Sequence, residues 1–442
     1  MSVPPTVPPF LGSHELLLLL LQLGILLLAA LVLGRLAARL RLPALVGELA
    51  AGILLGPSVL APLVPALSSW LFPARAGQFH LLDAVGQLGV LLLVGITGTQ
   101  LDLGLIRARS ATVARISGFG LVIPFALGAA TGMLLPAWDS GTGDRSLLPL
   151  FLGVAMSVSA VPVIAKTLMD MKLLHHEIGQ LTLTAGVIDD VFGWLMLSVL
   201  SAMATAGVGA GSVLRAVVGL LALLAVAALF GGPVMRRIFR WAGRSGEPGP
   251  PVAAMVGCVI LTAAVTASLG LEAIFGAFLC GILISRHGKP DPAAVNILRT
   301  VVNAVLAPLF FATVGLRMDL TALTDPRWLA VAAVVLSVAM AGKFSGAYLG
   351  ARTSRMTGWE GLALGAGMNA RGVVEVVVAM VGLRLGIISA ELYTIIVLLA
   401  VATSLVAPPV LRLAMARVDA GPSHASGRPA HPKSPVVQKE TT

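Results

Sequence analysis

Residues 181–197 read LTLTAGVIDDVFGWLML and place two adjacent carboxylates, Asp189 and Asp190, in the middle of an apolar run. The run belongs to the longer segment Ile178–Met203, and about 20 mostly apolar residues are enough to cross the hydrocarbon core of a bilayer. An ionisable side chain at that depth is unfavourable and marks a functional site by default. The stretch therefore predicts a membrane-spanning helix that carries a functional acidic pair.

The composition of the whole chain agrees with a membrane protein. Of its 442 residues, 57% are hydrophobic and 11% are charged. A soluble domain carries about 25% charged residues, so a water-facing surface cannot be built from this inventory. The composition therefore excludes an ordinary soluble protein.

Thirteen apolar segments predict an all-α polytopic membrane protein with about 13 transmembrane helices. In chain order they are Leu16–Leu33, Ala44–Leu63, Ala84–Thr99, Val113–Leu135, Leu148–Leu168, Ile178–Met203, Ala216–Phe230, Val252–Leu269, Leu271–Ile284, Val301–Val314, Leu329–Leu349, Gly361–Val381 and Leu392–Leu413. The polar linker Arg240–Pro250 leaves seven segments before it and six after it. This division suggests two similar halves and one extra N-terminal helix.

Basic residues in the connections predict the orientation. When alternate connections are assigned to one face, that face carries 21 Lys and Arg residues and the other face carries 5. Since basic residues concentrate on the cytoplasmic side, we expect the N-terminus outside and the C-terminus in the cytoplasm. This distribution also explains the net charge of +10 without a nucleic-acid partner. The ends, residues 1–13 and 416–442, are rich in Pro, Ser, Gly and charge and are predicted to be disordered.

The two aspartates cannot play the same part, because neighbouring residues on a helix point about 100° apart. One can face a water-filled cavity while the other turns to a partner helix. Desolvation favours the protonated carboxyl, and a nearby cation favours the carboxylate. A proton and a hard cation then compete for the same oxygens. We predict Asp189 and Asp190 as binding residues, because a carboxylate that must hold one or the other species couples their opposite movements.

Three further charges lie inside predicted spans. Lys343 is the expected counter-charge of Asp189 or Asp190, because an unpaired buried ammonium would lose its proton. It forms either a structural salt bridge or a pair that an arriving cation or proton breaks. Arg371 and Glu375 are four residues apart and share one helix face, so they either support the site or neutralise each other.

Two predicted spans are interrupted at similar places in the two halves. The segment MSVSAVPVIAKTL contains Ser157, Ser159 and Pro162, and the segment GAGMNARGVVEVV contains Gly365, Gly367, Asn369 and Gly372. Small, polar and helix-breaking residues in matching positions predict discontinuous helices at a midplane binding site. Freed carbonyls there can ligate a cation, and half-helix N-termini favour anionic groups.

Five motifs follow one another along the chain. They are Pro43–Pro57 (PALVGELAAGILLGP), Ser157–Asp190 (SVSAVPVIAKTLMD through GVIDD), Leu271–Leu283 (LEAIFGAFLCGIL), Ala307–Leu316 (APLFFATVGL) and Gly367–Glu375 (GMNARGVVE). Together they resemble the motifs of bacterial monovalent cation:proton antiporters, most closely the second branch of that superfamily. The resemblance extends from Leu16 to about Leu413.

The resemblance implies the sodium/proton antiporter fold, with inverted repeats, two crossed discontinuous helices and a homodimer. A core domain would move like an elevator against a dimerisation domain. The dimerisation domain would comprise residues 14–112 and 251–325, the core residues 113–206 and 326–415, and the linking helix and cytoplasmic linker residues 207–250. The implied activity is exchange of Na⁺ or K⁺ for H⁺ across a bacterial inner membrane, with membrane lipid around the protein and without a cofactor or a nucleotide.

The resemblance also implies roles for individual residues. Asp190 matches the second acid of the family's twin-acid motif, which is the usual ligand of the cation and the proton, and Asp189 is its supporting partner. Lys343 matches the lysine that pairs with this acid in electrogenic members.

One motif departs from the commoner family pattern. Many relatives have Arg-Gly-Glu where this chain has Arg371-Gly372-Val373, and the acid here is displaced to Glu375. Branches with the later acid resemble plant and bacterial cation/proton exchangers of broad ion preference. The sequence therefore leaves Na⁺ and K⁺ as alternatives.

Other functions compete with antiport. A cation channel, or a gated K⁺ efflux pathway, typically shows a selectivity loop such as a carbonyl filter, and none is evident. An intramembrane aspartyl protease needs two acids that converge on one water from separate segments, whereas adjacent helix positions diverge. An anion symporter with a similar broken-helix fold is a further alternative. The sequence predicts a transporter, and neither an enzyme nor a nucleotide-binding protein.

Overall fold

The computed structural model describes residues 12–40, 42–73, 76–100, 110–135, 145–173, 176–206 and 210–420. The described chain is built of helices, which confirms the predicted fold class. In chain order they are α1 (Ser13–Arg39), α2 (Ala44–Leu55), α3 (Leu60–Leu63), α4 (Pro65–Leu71), α5 (Ala76–Thr99), α6 (Ser110–Leu134), α7 (Leu148–Ser157), α8 (Val161–Asp170), α9 (Glu177–Ala206), α10 (Ala210–Val226), α11 (Gly232–Ala242), α12 (Gly249–Ser268), α13 (Ala273–Leu283), α14 (Pro292–Val301), α15 (Ala307–Gly315), α16 (Pro326–Thr353), α17 (Gly358–Met368), α18 (Val373–Arg384) and α19 (Ala390–Asp419). Short π-helical segments follow α10, α13 and α14.

The number of membrane spans differs from the prediction. Within the described residues, ten helical stretches are long and apolar enough to cross a membrane, and the bent pair α17–α18 makes eleven. The other two predicted spans fold as the pair α7–α8, with 10 residues in each helix, and as α13, with 11 residues. Each of these helices is about half as long as a bilayer requires, so the count of thirteen is not confirmed.

Much of the helix surface is exposed and apolar. In α1, Leu20, Leu28 and Val32 are about three-fifths exposed. The buried positions of the same helix recur almost every fourth residue and are Leu18, Gln22, Leu26, Ala30, Gly34 and Ala37. One stripe of the helix therefore packs against protein, while its remaining apolar surface belongs in lipid. The chain is an integral membrane protein.

The described helices pack in two groups. One group comprises α6–α9 and α16–α19, and the other comprises α1, α2, α5 and α12–α15. Contacts between the groups include an ion pair of 2.8 Å between Arg384 of α18 and Glu272, which precedes α13. They also include a hydrogen bond of 3.0 Å from the Tyr393 hydroxyl of α19 to the Val314 carbonyl of α15. That one group dimerises and the other transports stays a prediction.

Glycines allow close helix contacts within each group. A Cβ at Gly281 of α13 would lie 2.0 Å from the Gly95 carbonyl oxygen of α5. A Cβ at Gly346 of α16 would lie 2.5 Å from the Phe119 carbonyl oxygen of α6. Small residues at helix contacts are typical of membrane proteins, because close packing replaces the hydrophobic effect as the cause of association.

Parts of the predicted ends and connections lie outside the described residues. These are residues 1–11 and 421–442 of the two ends, and connecting residues that include Arg41, Arg107 and Arg109. The helices α1 and α19 begin and end close to them, at Ser13 and Asp419. The disorder of the ends and the orientation of the chain stay predictions.

Candidate functional site

The first interrupted span is a broken helix. α7 ends at Ser157, Val158 and Ala160 adopt extended backbone conformations, and α8 begins at Val161. Pro162 occupies the second position of α8, and its side chain lies outside the described residues. Inside a continuous helix a proline ring would clash with the carbonyl four residues earlier, whereas proline is favoured at the start of a helix. The proline therefore explains where the second half-helix begins.

The second interrupted span is also broken, and the two breaks cross. α17 ends at Met368, α18 begins at Val373, and their axes differ by 50°. The Ala160 amide donates to the Ala370 carbonyl at 3.1 Å, which joins the two breaks through the main chain. A Cβ at Gly372 would lie 2.6 Å from Val163 Cγ2, so the absence of a side chain allows the second break to approach α8. The predicted pair of crossed discontinuous helices is confirmed.

Arg371 of the second break caps the first half-helix α7. Its Nη1 and Nη2 donate to the carbonyls of Ala155 and Met156 at 2.7 Å and 2.6 Å. The same Nη1 pairs with Glu375 Oε1 at 3.0 Å, and both side chains are buried. The last carbonyls of a helix lack intrahelical donors and carry partial negative charge. Arg371 therefore neutralises a helix end and a carboxylate together.

Lys343 of α16 caps the same helix end. Its Nζ donates to the Ser157 carbonyl, to the Gly120 carbonyl at 3.1 Å and to Asp189 Oδ2 at 2.6 Å. An ammonium has three donors, so these three acceptors use all of them. Of the two candidate partners, the structure pairs Lys343 with Asp189 and not with Asp190, the acid that the family resemblance implies.

The two aspartates of α9 have unequal surroundings. Asp189 Oδ2 also lies 2.6 Å from the Ser159 hydroxyl, which lies at the same distance from the Met368 carbonyl. Ser159 has one hydroxyl proton, so it donates to one of these acceptors at a time. Asp190 is fully buried, no described side chain donates to either of its carboxylate oxygens, and the backbone amide of Val161 at the start of α8 faces the carboxylate. Asp189 keeps one oxygen, Oδ1, without a partner, whereas Asp190 has no side-chain partner on either oxygen and no counter-charge.

The remaining predicted residues differ in what they contribute. Asn369 is fully buried, and neither atom of its side-chain amide group has a partner among the described residues. The Ser157 hydroxyl donates to the Val154 carbonyl of its own helix, so only its main-chain carbonyl meets Lys343. The described residues hold no group of three or more His, Cys, Asp or Glu side chains that could bind a metal ion.

Sequence reasoning missed two kinds of contributor. The carbonyls of Gly120 and Met368 carry no residue-type signal, because every residue has one. Ser404 of α19 donates its hydroxyl to the Arg371 carbonyl and is buried. A hydroxyl inside the apolar segment Leu392–Leu413 was the signal that could have found it.

Comparisons with known proteins point to one family. Residues 25–417 match the family model described as sodium/hydrogen exchanger, transmembrane. The chain is 31% identical over 405 residues to the Na⁺/H⁺ antiporter NhaS4 of Synechocystis, covering 91% of this chain and 98% of that protein. It is 29% identical to cation/H⁺ antiporter 18 of Arabidopsis thaliana, covering 89% of this chain and 48% of the plant protein.

A solved structure has the same fold. The sodium proton antiporter MjNhaP1 of Methanocaldococcus jannaschii superposes with a TM-score of 0.66 at 17% identity, over 91% of this chain and 99% of that one. The named relatives are antiporters, which confirms the prediction of a transporter rather than an enzyme. With the family model matched over most of its length, this chain belongs to the transmembrane sodium/hydrogen exchanger family.

Proposed function

We propose that the protein is a secondary active antiporter that exchanges a monovalent cation, Na⁺ or K⁺, for H⁺ at Asp190. Family membership supports the class of activity, and the relatives named above are Na⁺/H⁺ and cation/H⁺ antiporters. One observation carries the assignment to a residue. Asp190 is fully buried with no side-chain partner and no counter-charge, while its neighbour Asp189 is paired with Lys343.

The carboxylate without a counter-charge supplies the coupling. A charge that lacks a counter-charge is strongly disfavoured in a dry interior. Asp190 must therefore hold either a proton or a cation whenever it is shielded from water. Because the same oxygens serve both species, release of one permits uptake of the other. Movement of the loaded site between the two faces then exchanges them across the membrane.

Asp189 and Lys343 hold the site in place without occupying it. All three donors of Lys343 are used, one of them on Asp189. This arrangement neutralises one of the two adjacent acids, so that a single carboxylate remains for the transported ion. Carboxylate and amide oxygens suit hard cations, and the buried side-chain amide of Asn369 lies in the second break with its oxygen unpartnered.

We assign the moving part to the helices that carry the site. Asp190, Lys343 and both breaks belong to the group α6–α9 and α16–α19, and the other group would be the scaffold and the homodimer contact. In this proposal the protein lies in a bacterial inner membrane with its N-terminus outside. The basic residues support the orientation, since 21 fall on one face and 5 on the other.

The decisive experiment is Asp190→Asn in proteoliposomes. The amide cannot exchange a proton for a cation, so we expect cation-dependent proton flux, followed with an internal pH-sensitive dye, to be abolished. Asp83→Asn is the matched control, because Asp83 is partly exposed and pairs with Arg317 away from the site. It should retain flux. Both variants should elute as folded protein in size-exclusion chromatography.

Retained pH-dependent exchange in Asp190→Asn would show that the carboxylate is not the exchange site. The same vesicles, supplied with each alkali cation in turn, distinguish Na⁺ from K⁺ transport. A clamped membrane voltage then shows whether the exchange moves net charge.

A further inference from the structure

Pro124 interrupts the hydrogen bonding of α6, the helix that runs from Ser110 to Leu134. Proline has no backbone N–H, so residue 124 cannot donate to the carbonyl four residues earlier, which belongs to Gly120. In a regular helix the proline ring would also clash with that carbonyl, which must therefore give way. The Gly120 carbonyl is thus open to a donor from outside α6.

Lys343 of α16 supplies that donor. Its Nζ lies 3.1 Å from the Gly120 carbonyl oxygen, and both residues are buried. A buried polar group without a partner is unfavourable, so the contact satisfies one group of each helix. The proline therefore explains why the lysine finds a main-chain acceptor inside a helix, where carbonyls are normally occupied.

The contact between the two helices brings the lysine to this position. Gly342, which precedes Lys343, packs on the proline itself, since a Cβ at Gly342 would lie 3.1 Å from Pro124 Cα. One turn further along α16, a Cβ at Gly346 would lie 2.5 Å from the Phe119 carbonyl oxygen. Small residues allow helices to approach this closely. Lys343 is therefore held beside the carbonyl that Pro124 frees.

The two carbonyls that accept from Lys343 share a property. Ser157 ends α7, so its carbonyl lies in the last turn, where intrahelical donors are missing. Gly120 lies near the middle of α6, where the proline removes the donor. Together with Asp189 these carbonyls use all three donors of the ammonium. A helix end and a proline thus provide the two neutral acceptors that hold the ammonium beside Asp189.

We propose that Pro124 is a positioning residue of the exchange site: by freeing the Gly120 carbonyl, it holds the Lys343 ammonium beside Asp189 and away from Asp190. Without this acceptor the ammonium would have an unused donor. The adjacent carboxylate oxygens that lack a side-chain partner are Oδ1 of Asp189 and both oxygens of Asp190. An ammonium that turned to Asp190 would compete with the transported cation. The proposal rests on the proposed function, which gives Asp190 that cation.

Pro124→Ala tests the proposal, because alanine restores an N–H that competes with Lys343 for the Gly120 carbonyl. We expect the half-saturating cation concentration for proton flux in proteoliposomes to rise roughly fivefold, which corresponds to about one hydrogen bond. Lys343→Ala removes the ammonium, so in that background Pro124→Ala should leave the half-saturating concentration unchanged. An unchanged concentration in the wild-type background, or an equal rise in both backgrounds, would overturn the proposal.

Two further variants separate the missing N–H from the shape of the helix. Lactic acid, introduced at position 124 by nonsense suppression, lacks the ring as alanine does, but an ester oxygen replaces the N–H. Pro409→Ala is the matched control, because Pro409 also lies inside a helix, α19, but is exposed. Both should keep the half-saturating concentration of the wild type. A rise in either as large as in Pro124→Ala would assign the effect to helix shape and contradict the proposal.

Melting temperatures in detergent test the contact without transport. In Lys343→Ala the Gly120 carbonyl has lost its donor, and the N–H restored by Pro124→Ala supplies one again. We therefore expect Pro124→Ala to raise the melting temperature of the Lys343→Ala protein by roughly 2 °C more than that of the wild type, the effect of about one hydrogen bond. Equal shifts would overturn this proposal and leave the proposed function standing. Exchange retained in Asp190→Asn would overturn the proposed function and leave this contact intact.

Discussion

The two breaks occupy similar places in the two halves of the molecule but are completed by different chemistry. At the first break, the last carbonyls of α7 accept from two cations, Arg371 and Lys343. At the second break, the carbonyls accept from neutral groups, which are the Ser159 hydroxyl, the Ala160 amide and the Ser404 hydroxyl. Similar patterns of small and polar residues thus produce one break whose carbonyls accept from cations, called the charged break, and one whose carbonyls accept from neutral donors.

The difference shows that the halves depend on each other. The second break supplies Arg371 to the first, and the first break supplies Ser159 and Ala160 to the second. The carboxylates of α9 meet the charged break, where Asp189 takes up part of the positive charge of Lys343. Asp190 therefore has no counter-charge, because the lysine that caps the first break pairs with Asp189.

Among the variants that test this difference between the breaks, Arg371→Ala should lower the melting temperature most. It leaves the Ala155 and Met156 carbonyls without donors and Glu375 without its partner. Removal of one member of a buried ion pair destabilises by about 3–5 kcal/mol, so we expect a large fall in melting temperature in detergent. Arg352→Ala is the control, because this exposed guanidinium also donates to a carbonyl, that of Met356. Equal melting temperatures of the two variants would mean that the first break needs no cationic cap from Arg371.

Lys343→Ala should have a smaller effect, because Lys343 caps one carbonyl of α7 whereas Arg371 caps two. The carbonyls of Ser157 and Gly120 lose a donor, and an unsatisfied buried group costs about 1–3 kcal/mol. We expect a moderate fall in melting temperature and a reduced but measurable exchange rate at Asp190. Proteoliposome flux and thermal unfolding separate the two effects. Complete loss of exchange in a stable variant would assign Lys343 a direct part in proton coupling.

Two serines of the first break provide the smallest and sharpest test. Ser159→Ala removes the donor shared by Asp189 and the Met368 carbonyl, and a typical hydrogen bond contributes about 1 kcal/mol. Ser157→Ala removes only a bond to its own helix and keeps the carbonyl that meets Lys343, so its effect should stay within about 0.5 kcal/mol. Ser159→Ala should therefore have a lower melting temperature than Ser157→Ala. The reverse order would mean that the contact between the breaks is not made through Ser159.

The fold class could be predicted from the sequence, and so could the burial of most residues of the candidate site, because charges and helix breakers are conspicuous in apolar runs. Asp189, Asp190, Lys343 and the pair Arg371–Glu375 are all found buried near the crossing. The crossing of the breaks followed from their matching positions. The number of spans could not be predicted, because the apolar segments of the sequence do not show that the helices α7, α8 and α13 are each too short to cross a membrane.

The partner of Lys343 could not be chosen from the sequence. It depends on how α9 is rotated relative to α16, and adjacent aspartates differ only in that rotation. The carbonyl acceptors could not be predicted either. They are main-chain atoms, and which of them lie at a helix end depends on the residue where the helix ends. Ser157 and Ser159 look equivalent in sequence, yet only Ser159 points to the acidic pair.

The cap that Arg371 places on α7 also bears on how the chain is made. Arg371 follows Ala155 by 216 residues and Met156 by 215 residues. At the usual pace of synthesis, about 5–20 residues per second, roughly 10–40 s separate the emergence of the two from the ribosome. Until Lys343 emerges, 28 residues before Arg371, α7 has neither of its cationic caps, and the acidic pair has no lysine. The first half of the protein must therefore wait in the membrane, or in the insertion machinery, until the second half arrives to complete it.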